Sequence, residues 1–351
     1  MSDASRAPIV FLGAGAVGGY VGGMLSVAGE DVIMIDPWPA HVDAIRTGGL
    51  TIETPEGTHK TMPRALHFSE AQSVRNLPVR FAFLTVKLYD TDWAATLLAD
   101  IVPRAPIITL QNAFVEERVA RAAGWTRTLG VVGGTLDVSL VGPGHVRRTR
   151  KRGGKKPVFK VGEMSGRETP RARAIATLLG QVDTAAVTTH LWDDRWEKLC
   201  ANTMTSGVSG VSGLSLKEVY GREDTRRLIL RLGAEAIALG TELGFRLDTL
   251  FGLPVERWRA AGAGETAAVE AAMAALAAVT ANMVAGGPSG TAQDLSKGRR
   301  TEVDFFNGYI AQEGAARGVP VPTHAAIADM VRAMERGEMR PAVEHLAALG
   351  I

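Results

Sequence analysis

The chain has a single cysteine, Cys200, among its 351 residues. One cysteine excludes an intramolecular disulfide and a metal site built from several cysteines, and it is typical of a protein from a reducing compartment. The seven histidines are scattered, and no pair has the spacing of metal ligands. We therefore expect a cytoplasmic protein without a resident metal ion.

A long hydrophobic run is also missing. The most apolar later segment, 271–287, is short and rich in alanine, so we interpret it as a buried helix and not as a membrane span. The N-terminus passes from a short polar stretch directly into an apolar strand, without the hydrophobic region of a signal peptide. The composition, 46% hydrophobic and 22% charged, indicates a globular chain long enough for two domains.

The charges are nearly balanced, with a formal net charge of +2, so the whole chain shows no bias towards nucleic acid or a membrane surface. One segment departs from this balance. Residues 147–156, "RRTRKRGGKK", carry seven basic residues and no acid. A solvated hairpin or loop is one interpretation; a rim that attracts an anionic substrate or cofactor is the other. No aromatic residues interleave the basic ones, so we expect no nucleic-acid partner.

In the first half, short β-branched segments alternate with helical patterns. The predicted strands are 8–13, 31–36, 79–87 and 105–112. Such alternation predicts a parallel sheet covered by helices on both faces. From about 129 to 163 the pattern becomes rich in strands and turns, which suggests antiparallel strands appended to that sheet.

Strand patterns vanish after about residue 190. Five later segments have helical periodicity: 192–204, 223–244, 264–284, 300–318 and 323–338. Between them, "SGVSGVSG" (206–213) has poor helix propensity, and its small residues suit either helix packing or a close backbone approach. We predict an α/β, doubly wound domain over residues 1–187 and an all-α domain over residues 188–351.

A glycine-rich turn opens the first strand–helix unit. "GAGAVG" (13–18) has glycines in G-x-G-x-x-G order, and this context makes the pattern specific for a dinucleotide. Gly13 permits the tight turn, Gly15 lets the backbone approach a pyrophosphate, and Gly18 allows close helix–strand packing. The predicted cofactor contacts from this turn are Gly13, Ala14, Gly15, Ala16, Val17 and Gly18.

Asp36 ends the second predicted strand, 23 residues after Gly13. An acid at about this distance, roughly 20 residues, accepts hydrogen bonds from the adenosine ribose, and its charge repels a 2′-phosphate. No basic residue lies in the adjoining "IDPWPAHVDA" stretch, although Arg46 follows in the next helix. The position therefore favours NAD over NADP. As an alternative, Asp36 is the N-cap of that helix, with Pro37 in its first turn.

Further polar residues stand at informative positions. Lys87 and Asn112 end two predicted strands, and such ends face the cofactor crevice in a doubly wound sheet. In "RWEKLCANTMTSG" three polar residues recur every fourth position, which predicts one helix face: Lys198, Asn202 and Ser206. The stretch "DLSKGRRTEVDFFNG" adds three more: Asp294, Glu302 and Asn307.

Together these patterns resemble the ketopantoate reductase (2-dehydropantoate 2-reductase) family over nearly the whole chain. "W-x-K-L-x-x-N" and "R-x-T-E-x-D-x-x-N-G" carry the resemblance most specifically. It implies an N-terminal Rossmann-type domain, a helical C-terminal domain of the 6-phosphogluconate dehydrogenase type, and a site between them. It also implies hydride transfer from a reduced nicotinamide to the ketone of a 2-oxo acid, and a homodimer.

The resemblance also implies individual roles. Lys198 corresponds to the general acid that protonates the ketone oxygen, which suits an amine whose pKa falls on desolvation. Glu302 corresponds to the acid that hydrogen-bonds the substrate oxygen, helps hold the lysine and adjoins the cofactor. Asn112 links cofactor and substrate, Asn202 binds substrate, and Lys87 lies near the nicotinamide.

The sequence departs from the family pattern at the pocket. Ala113 replaces the glycine that usually follows the cofactor asparagine, and Ser206 replaces a second helix asparagine. Gly290 stands where the family has a serine that contacts the substrate carboxylate; Ser289 is the candidate to replace it. We therefore predict a relative that uses NAD(H) and a different 2-oxo or 2-hydroxy acid, which a reshaped pocket allows to be bulkier.

Two alternatives stay open. The first is an authentic NADPH-dependent ketopantoate reductase, because that family typically prefers the phosphorylated cofactor. The second is a dinucleotide-sensing protein without catalysis. Lys198 and Glu302 argue against a sensor, since sensing needs no proton donor.

Overall fold

The computed structural model describes residues 7–134, 136–154, 156–281, 283 and 287–350. Thr135, Lys155 and part of the apolar segment 271–287 therefore lie outside the described residues, as does the polar N-terminal stretch. The chain forms two compact units, the first ending at Asp194 and the second beginning at Arg195. The division predicted after residue 187 falls inside the last strand of the first unit, which ends at Thr188.

The first unit is an α/β structure, as the alternating pattern predicts. Its strands are β1 Ile9–Leu12, β2 Val32–Asp36, β3 Leu50–Thr54, β4 Gly57–Thr61, β5 Arg64–His67, β6 Phe81–Leu84, β7 Ile107–Thr109, β8 Thr128–Gly133, β9 Val138–Gly142, β10 His145–Arg148, β11 Phe159–Glu163 and β12 Ala185–Thr188. Its helices are α1 Ala16–Val27, α2 Pro39–Gly48, α3 Thr91–Ile101, α4 Glu116–Ala123 and α5 Pro170–Leu179.

The main sheet has the strand order β12-β11-β8-β7-β6-β1-β2-β5. From β5 to β8 every neighbouring pair is parallel. β11 runs antiparallel to β8, so the prediction of an appended antiparallel strand is confirmed there. The strand order switches at β1, because β2 lies on one side of it and β6 on the other. The carboxyl ends of these parallel strands therefore lie side by side at one end of the sheet.

The prediction was wrong for β9 and β10. They belong to a second sheet with the order β4-β3-β10-β9, and do not extend the main sheet. Helix α1 packs against this second sheet as well as against the first. Gly19 and Gly23 make that double packing possible, since a Cβ atom at Gly23 would lie 2.6 Å from Ile52 Cδ1 and one at Gly19 would lie 2.9 Å from Val146 Cγ1.

The core of the first unit lies on both faces of the main sheet. Alternate residues of β1 enter different clusters: Ile9 and Phe11 face one side, and Val10 and Leu12 face the other. All four are fully buried. Each such side chain contributes about 1.5–3 kcal/mol by leaving water, so the central strand is apolar throughout its length.

The second unit is helical, as predicted. Its helices are α6 Leu191–Thr203, which begins in the first unit, α7 Ser206–Ser212, α8 Leu216–Gly221, α9 Glu223–Glu242, α10 Val255–Gly262, α11 Thr266–Thr280, α12 Gly290–Ser296, α13 Asn307–Arg317 and α14 Pro322–Glu335. A short hairpin, β13 Thr249–Leu250 and β14 Leu253–Pro254, interrupts them. Within the described part of the chain, no helix is both long enough and apolar enough to cross a membrane.

Helix α7 forms despite its poor propensity. A Cβ atom at Gly207 would lie 2.5 Å from Ile327 Cγ2, and one at Gly210 would lie 2.7 Å from Thr291 Cγ2. Tertiary packing of this small-residue helix against α12 and α14 thus overrides the local preference. The packing alternative for "SGVSGVSG" has direct contacts to support it.

Candidate active site

The glycine turn between β1 and α1 has the geometry of a dinucleotide-binding turn. Gly13 has φ +100°, and a Cβ atom there would lie 2.8 Å from the Val86 nitrogen. A Cβ atom at Gly18 would collide with the Gly13 carbonyl oxygen, so both positions require glycine. Gly15 is different, because among the described residues no atom beyond its chain neighbours and its own helix backbone lies within 4 Å of the Cβ position.

Gly15 is the N-cap of α1 and supplies no side chain to cap the first turn. The first N–H groups of a helix have no intrahelical partner, and together with the helix dipole they favour an anion. The open space at Gly15 and the uncapped helix start therefore fit the pyrophosphate of a dinucleotide.

Asp36 is the last residue of β2, and its carboxylate holds this turn. Its Oδ2 accepts the N–H of Ala14 at 2.8 Å, and its Oδ1 accepts the N–H of Trp38 at 2.9 Å. The N-cap of α2 is Trp38, and Pro39 is in the first turn. The alternative in which Asp36 is the N-cap and Pro37 lies in the first turn is therefore wrong.

The arginine on α2, Arg46, already has hydrogen-bond partners. Arg46 donates from Nε to the Ala65 carbonyl at 2.8 Å, and its Nη2 forms a salt bridge with Glu70. Glu70 also accepts the N–H of His67, and these two donors lower the pKa of the Glu70 carboxyl. Arg46 therefore has a carboxylate partner and does not stand ready as a phosphate ligand.

Two neighbouring strand ends bring Lys87 and Asn112 to the loops that follow β6 and β7. Both side chains are partly exposed. Gln111, which the sequence did not single out, donates to the Val86 carbonyl at 2.9 Å and to Thr91 Oγ1 at 3.0 Å, so it ties the two loops together. Only its buried position identifies this role, and no sequence pattern signals it.

Ala113 stands where the family pattern has a glycine, and it adopts a backbone conformation that favours glycine. Its φ is +55°, in the left-handed region that an alanine seldom adopts. An alanine in this conformation carries about 1–2 kcal/mol of backbone strain, which a glycine would not.

The candidate proton donor lies on α6 in the helical unit. Burial lowers the pKa of the Lys198 ammonium group to about 7, Arg195 adds to the decrease, and Glu302 raises the pKa. Arg195 is 1% exposed and stands one helical turn before Lys198. Sequence reasoning missed it; a basic residue three positions from a candidate lysine on a helix is the signal that identifies it.

Lys198, Asn202 and Ser206, which were expected on one helix face, lie on two separate helices. α6 ends at Thr203 and α7 begins at Ser206, so Lys198 and Asn202 share one helix while Ser206 starts another. The prediction of one continuous helix was wrong. At the end of α6 the side-chain amide of Asn307 donates to the Thr203 carbonyl at 3.1 Å, so a residue distant in sequence caps the helix where it stops.

Ser206 and Ser289 are both buried and hydrogen-bonded within the helical unit. Ser289 is the N-cap of α12: its hydroxyl accepts the N–H of Ala292 at 3.1 Å and donates to the Ser206 carbonyl at 3.0 Å. Ser206 Oγ lies 3.0 Å from Thr291 Oγ1. A substrate contact from Ser289 would need its hydroxyl to change partner. Within the described part of the chain, no atom outside the neighbouring residues and the α12 backbone lies within 4 Å of the Cβ position of Gly290.

The candidate residues thus fall into two sets, one in each compact unit. The cofactor set belongs to the first unit: Gly13, Ala14, Gly15, Ala16, Val17, Gly18, Asp36, Lys87 and Asn112. The set with the proton donor belongs to the second: Lys198, Asn202, Ser206, Ser289 and Glu302. Among the described residues no group of three or more histidine, cysteine, aspartate or glutamate side chains is placed to hold a metal ion.

Two family models match most of the chain. The model described as "Ketopantoate reductase PanE/ApbA" matches residues 9–165, and "Ketopantoate reductase PanE/ApbA C terminal" matches residues 190–335. A curated relative, the 2-dehydropantoate 2-reductase of Mesorhizobium japonicum, is 29% identical, and the match covers 94% of this chain and 98% of that protein.

Solved structures give the same result for the fold. The crystal structure of a PanE/ApbA family ketopantoate reductase from Ralstonia eutropha JMP134 is 26% identical, with a TM-score of 0.76 over 94% of this chain and 99% of the other. The ternary structure of D-mandelate dehydrogenase with NADH and anilino(oxo)acetate has a TM-score of 0.77 at 20% identity, over 94% of this chain and 99% of the other. The resemblance found in the sequence is confirmed: the chain belongs to the ketopantoate reductase family and is an oxidoreductase.

Proposed function

We propose that this oxidoreductase uses NAD(H) to transfer hydride between the nicotinamide and the 2-oxo or 2-hydroxy group of a small carboxylic acid. The observation that carries the cofactor choice is the Asp36 carboxylate, fixed at the glycine turn by the N–H groups of Ala14 and Trp38. Each carboxylate oxygen has a second acceptor position, so both can still receive a ribose hydroxyl.

A negative charge at this place disfavours a 2′-phosphate, and the arginine on α2 already has partners of its own. Arg46 is paired with Glu70 and bonded to the Ala65 carbonyl. The D-mandelate dehydrogenase of the same fold was solved with NADH, so the architecture accommodates the unphosphorylated cofactor. These points support NAD over NADP.

The chemistry that we assign to this chain is proton transfer at the substrate oxygen. When bound, the nicotinamide supplies or accepts the hydride at the substrate carbon. In the reducing direction the ammonium group of Lys198 gives its proton to the ketone oxygen, which becomes the hydroxyl. In the oxidising direction the neutral amine takes that proton back. A pKa of about 7 makes both forms available near neutral pH.

Glu302 supports proton transfer by Lys198, because its negative charge favours the ammonium form and raises the Lys198 pKa. We assign the substrate carboxylate and oxygen to contacts from Asn112, Asn202 and Ser206, with Ser289 as a further candidate, and we place Lys87 near the nicotinamide. The open space beside Gly290 supports a substrate with more bulk at this point.

A second candidate is NADPH-dependent reduction of 2-dehydropantoate. The name of the Mesorhizobium japonicum relative, which matches nearly the whole chain, favours it. The sensor without catalysis remains the weakest alternative, because a lysine with its pKa lowered to about 7 serves proton transfer and not binding alone. The homodimer also stays a prediction, which sedimentation of the purified protein would test.

The test is a panel of 2-oxo acids, with ketopantoate among them, assayed by the absorbance of reduced nicotinamide with NADH and with NADPH. The proposal expects turnover with NADH and its best rate on an acid bulkier than ketopantoate. Fast reduction of ketopantoate with NADPH alone would establish the second candidate. Tight cofactor binding without turnover of any acid would favour the sensor.

A further inference from the structure

His41 lies in the first turn of α2, and its side chain is fully buried. Its Nδ1 lies 2.9 Å from the nitrogen of Gly144, in the turn between β9 and β10, and its Nε2 lies 2.9 Å from the carbonyl oxygen of Ala14. A backbone N–H can only donate, so Nδ1 is the acceptor. Nε2 therefore carries the hydrogen and donates it to Ala14.

The hydrogen bond from His41 to the Ala14 carbonyl orients the whole peptide group between Ala14 and Gly15. The carbonyl of Ala14 and the N–H of Gly15 belong to the same planar, trans peptide, and they point in opposite directions. By holding the carbonyl, His41 sets the direction of the Gly15 N–H. That group lies at the N-cap of α1, where the space beside the backbone is open.

The preceding peptide is held in the same manner. Asp36 accepts the N–H of Ala14 at 2.8 Å, and Thr85 Oγ1 donates to the carbonyl of Gly13 at 2.6 Å. Both peptides of the glycine turn are therefore fixed by side chains from outside the turn. Of these side chains, only His41 also reaches the second sheet, through Gly144.

We propose that His41 is a positioning residue for the dinucleotide: it orients the Gly15 N–H towards the pyrophosphate and makes the glycine turn depend on the β9–β10 turn. This inference rests on the proposed dinucleotide site. His41 has no part in hydride or proton transfer. Its loss therefore weakens cofactor binding and leaves the chemical step unchanged once the cofactor saturates the site.

His41 makes two side-chain hydrogen bonds, and two substitutions each keep a different one of them. In His41→Gln the amide nitrogen takes the place of Nε2, so the donor to Ala14 is kept and the acceptor for Gly144 is lost. In His41→Asn the amide oxygen takes the place of Nδ1, so the acceptor is kept and the donor is lost. Each variant loses one buried hydrogen bond, and we expect similar decreases in melting temperature without ligand.

Calorimetric titration of each purified variant with NADH, and with ADP-ribose as a probe without the nicotinamide, measures the effect. We expect His41→Asn to raise both dissociation constants about tenfold, the value of one well-placed hydrogen bond. His41→Gln should stay within about threefold of the wild type, and kcat at saturating NADH should be unchanged in both.

Equal weakening in the two variants would overturn the inference, because the histidine would then only support the scaffold. Wild-type affinity in His41→Asn would overturn it as well. Either result leaves the proposed function intact if the wild type binds NADH. If the wild type binds neither NADH nor NADPH, the proposed function itself fails.

Discussion

Asp36 accepts the backbone N–H of Ala14 at 2.8 Å, which joins the acid at the end of β2 to the glycine turn after β1. The group that we propose selects the cofactor and the loop that we propose receives its phosphates are therefore one hydrogen-bonded unit. We expect a substitution of Asp36 to have two effects, since it removes the charge of the proposed ribose ligand and releases one N–H of the turn. Variants of this residue need to be measured by ratios of two cofactors as well as by absolute rates.

The lowered pKa of Lys198 predicts opposite pH profiles for the two reaction directions. Reduction needs the ammonium form, so kcat/KM for a 2-oxo acid should fall as the pH rises through about 7. Oxidation of the matching 2-hydroxy acid needs the neutral amine and should rise over the same range. Steady-state rates between about pH 5.5 and 9 in both directions check this prediction.

Lys198→Met should lower turnover by roughly two to four decades and remove that pH dependence. Lys217→Met is the matched control, because Lys217 is an exposed lysine on α8 of the same unit. Near-normal turnover in Lys198→Met, or an unchanged inflection near pH 7, would remove Lys198 from the mechanism.

The lowered pKa of buried His324 predicts that the protein loses stability in acid. This histidine is fully buried, its Nδ1 lies 3.1 Å from Asn307 Nδ2, and burial lowers its pKa to about 4 from an ordinary value of 6.5. The folded state keeps the ring neutral while the unfolded chain binds a proton. The neutral ring therefore contributes fully to the free energy of unfolding above about pH 6.5. This contribution, about 3 kcal/mol, is lost as the pH falls towards 4.

Urea denaturation at pH 8 and at pH 4.5 measures this effect. His324→Gln should be less stable than the wild type at pH 8 but should lose less stability on acidification. His190→Gln, at an exposed histidine, should follow the wild-type pH dependence. Equal acid sensitivity of His324→Gln and the wild type would show that other groups govern the acid transition.

The positive φ of Ala113 predicts a stabilising substitution. Ala113→Gly relieves the left-handed strain at φ +55° and should raise the free energy of unfolding by up to about 1 kcal/mol, since the added chain entropy offsets part of the gain. Ala120→Gly, within α4, should instead lower it by about 1 kcal/mol. Chemical denaturation of both variants decides the point, and a clear destabilisation of Ala113→Gly would contradict it.

Local sequence patterns predicted those parts of the fold that local physics determines. The apolar strands, the glycine turn and the helical second half follow from periodicity and from the conformational demands at Gly13 and Gly18. The pairing of β10 with β3 does not follow, because it joins segments about ninety residues apart and depends on the small face of α1. The sequence shows the strands but not which sheet receives them.

The candidate site also has features that local sequence patterns could not predict. The family pattern named Lys198 and Glu302 but not Arg195, His41 or Gln111, whose roles depend on burial and on contacts with distant backbone atoms. The break between α6 and α7 was missed for a similar reason, since the amide that caps the end of α6 belongs to Asn307, about a hundred residues away along the chain. The four-residue spacing of Lys198, Asn202 and Ser206, taken alone, predicts one continuous helix.

We propose above all that Asp36 makes this family member an NAD(H) enzyme. The measurement is the ratio of kcat/KM with NADH to kcat/KM with NADPH, on the best 2-oxo acid, for the wild type, Asp36→Ala and the exposed control Asp43→Ala. We predict a wild-type ratio above one that falls by about tenfold or more in Asp36→Ala and is unchanged in Asp43→Ala, because hydrogen bonds to a charged group are lost and the repulsion of the 2′-phosphate disappears. A wild-type ratio below one, or the same ratio in Asp36→Ala, would contradict the account.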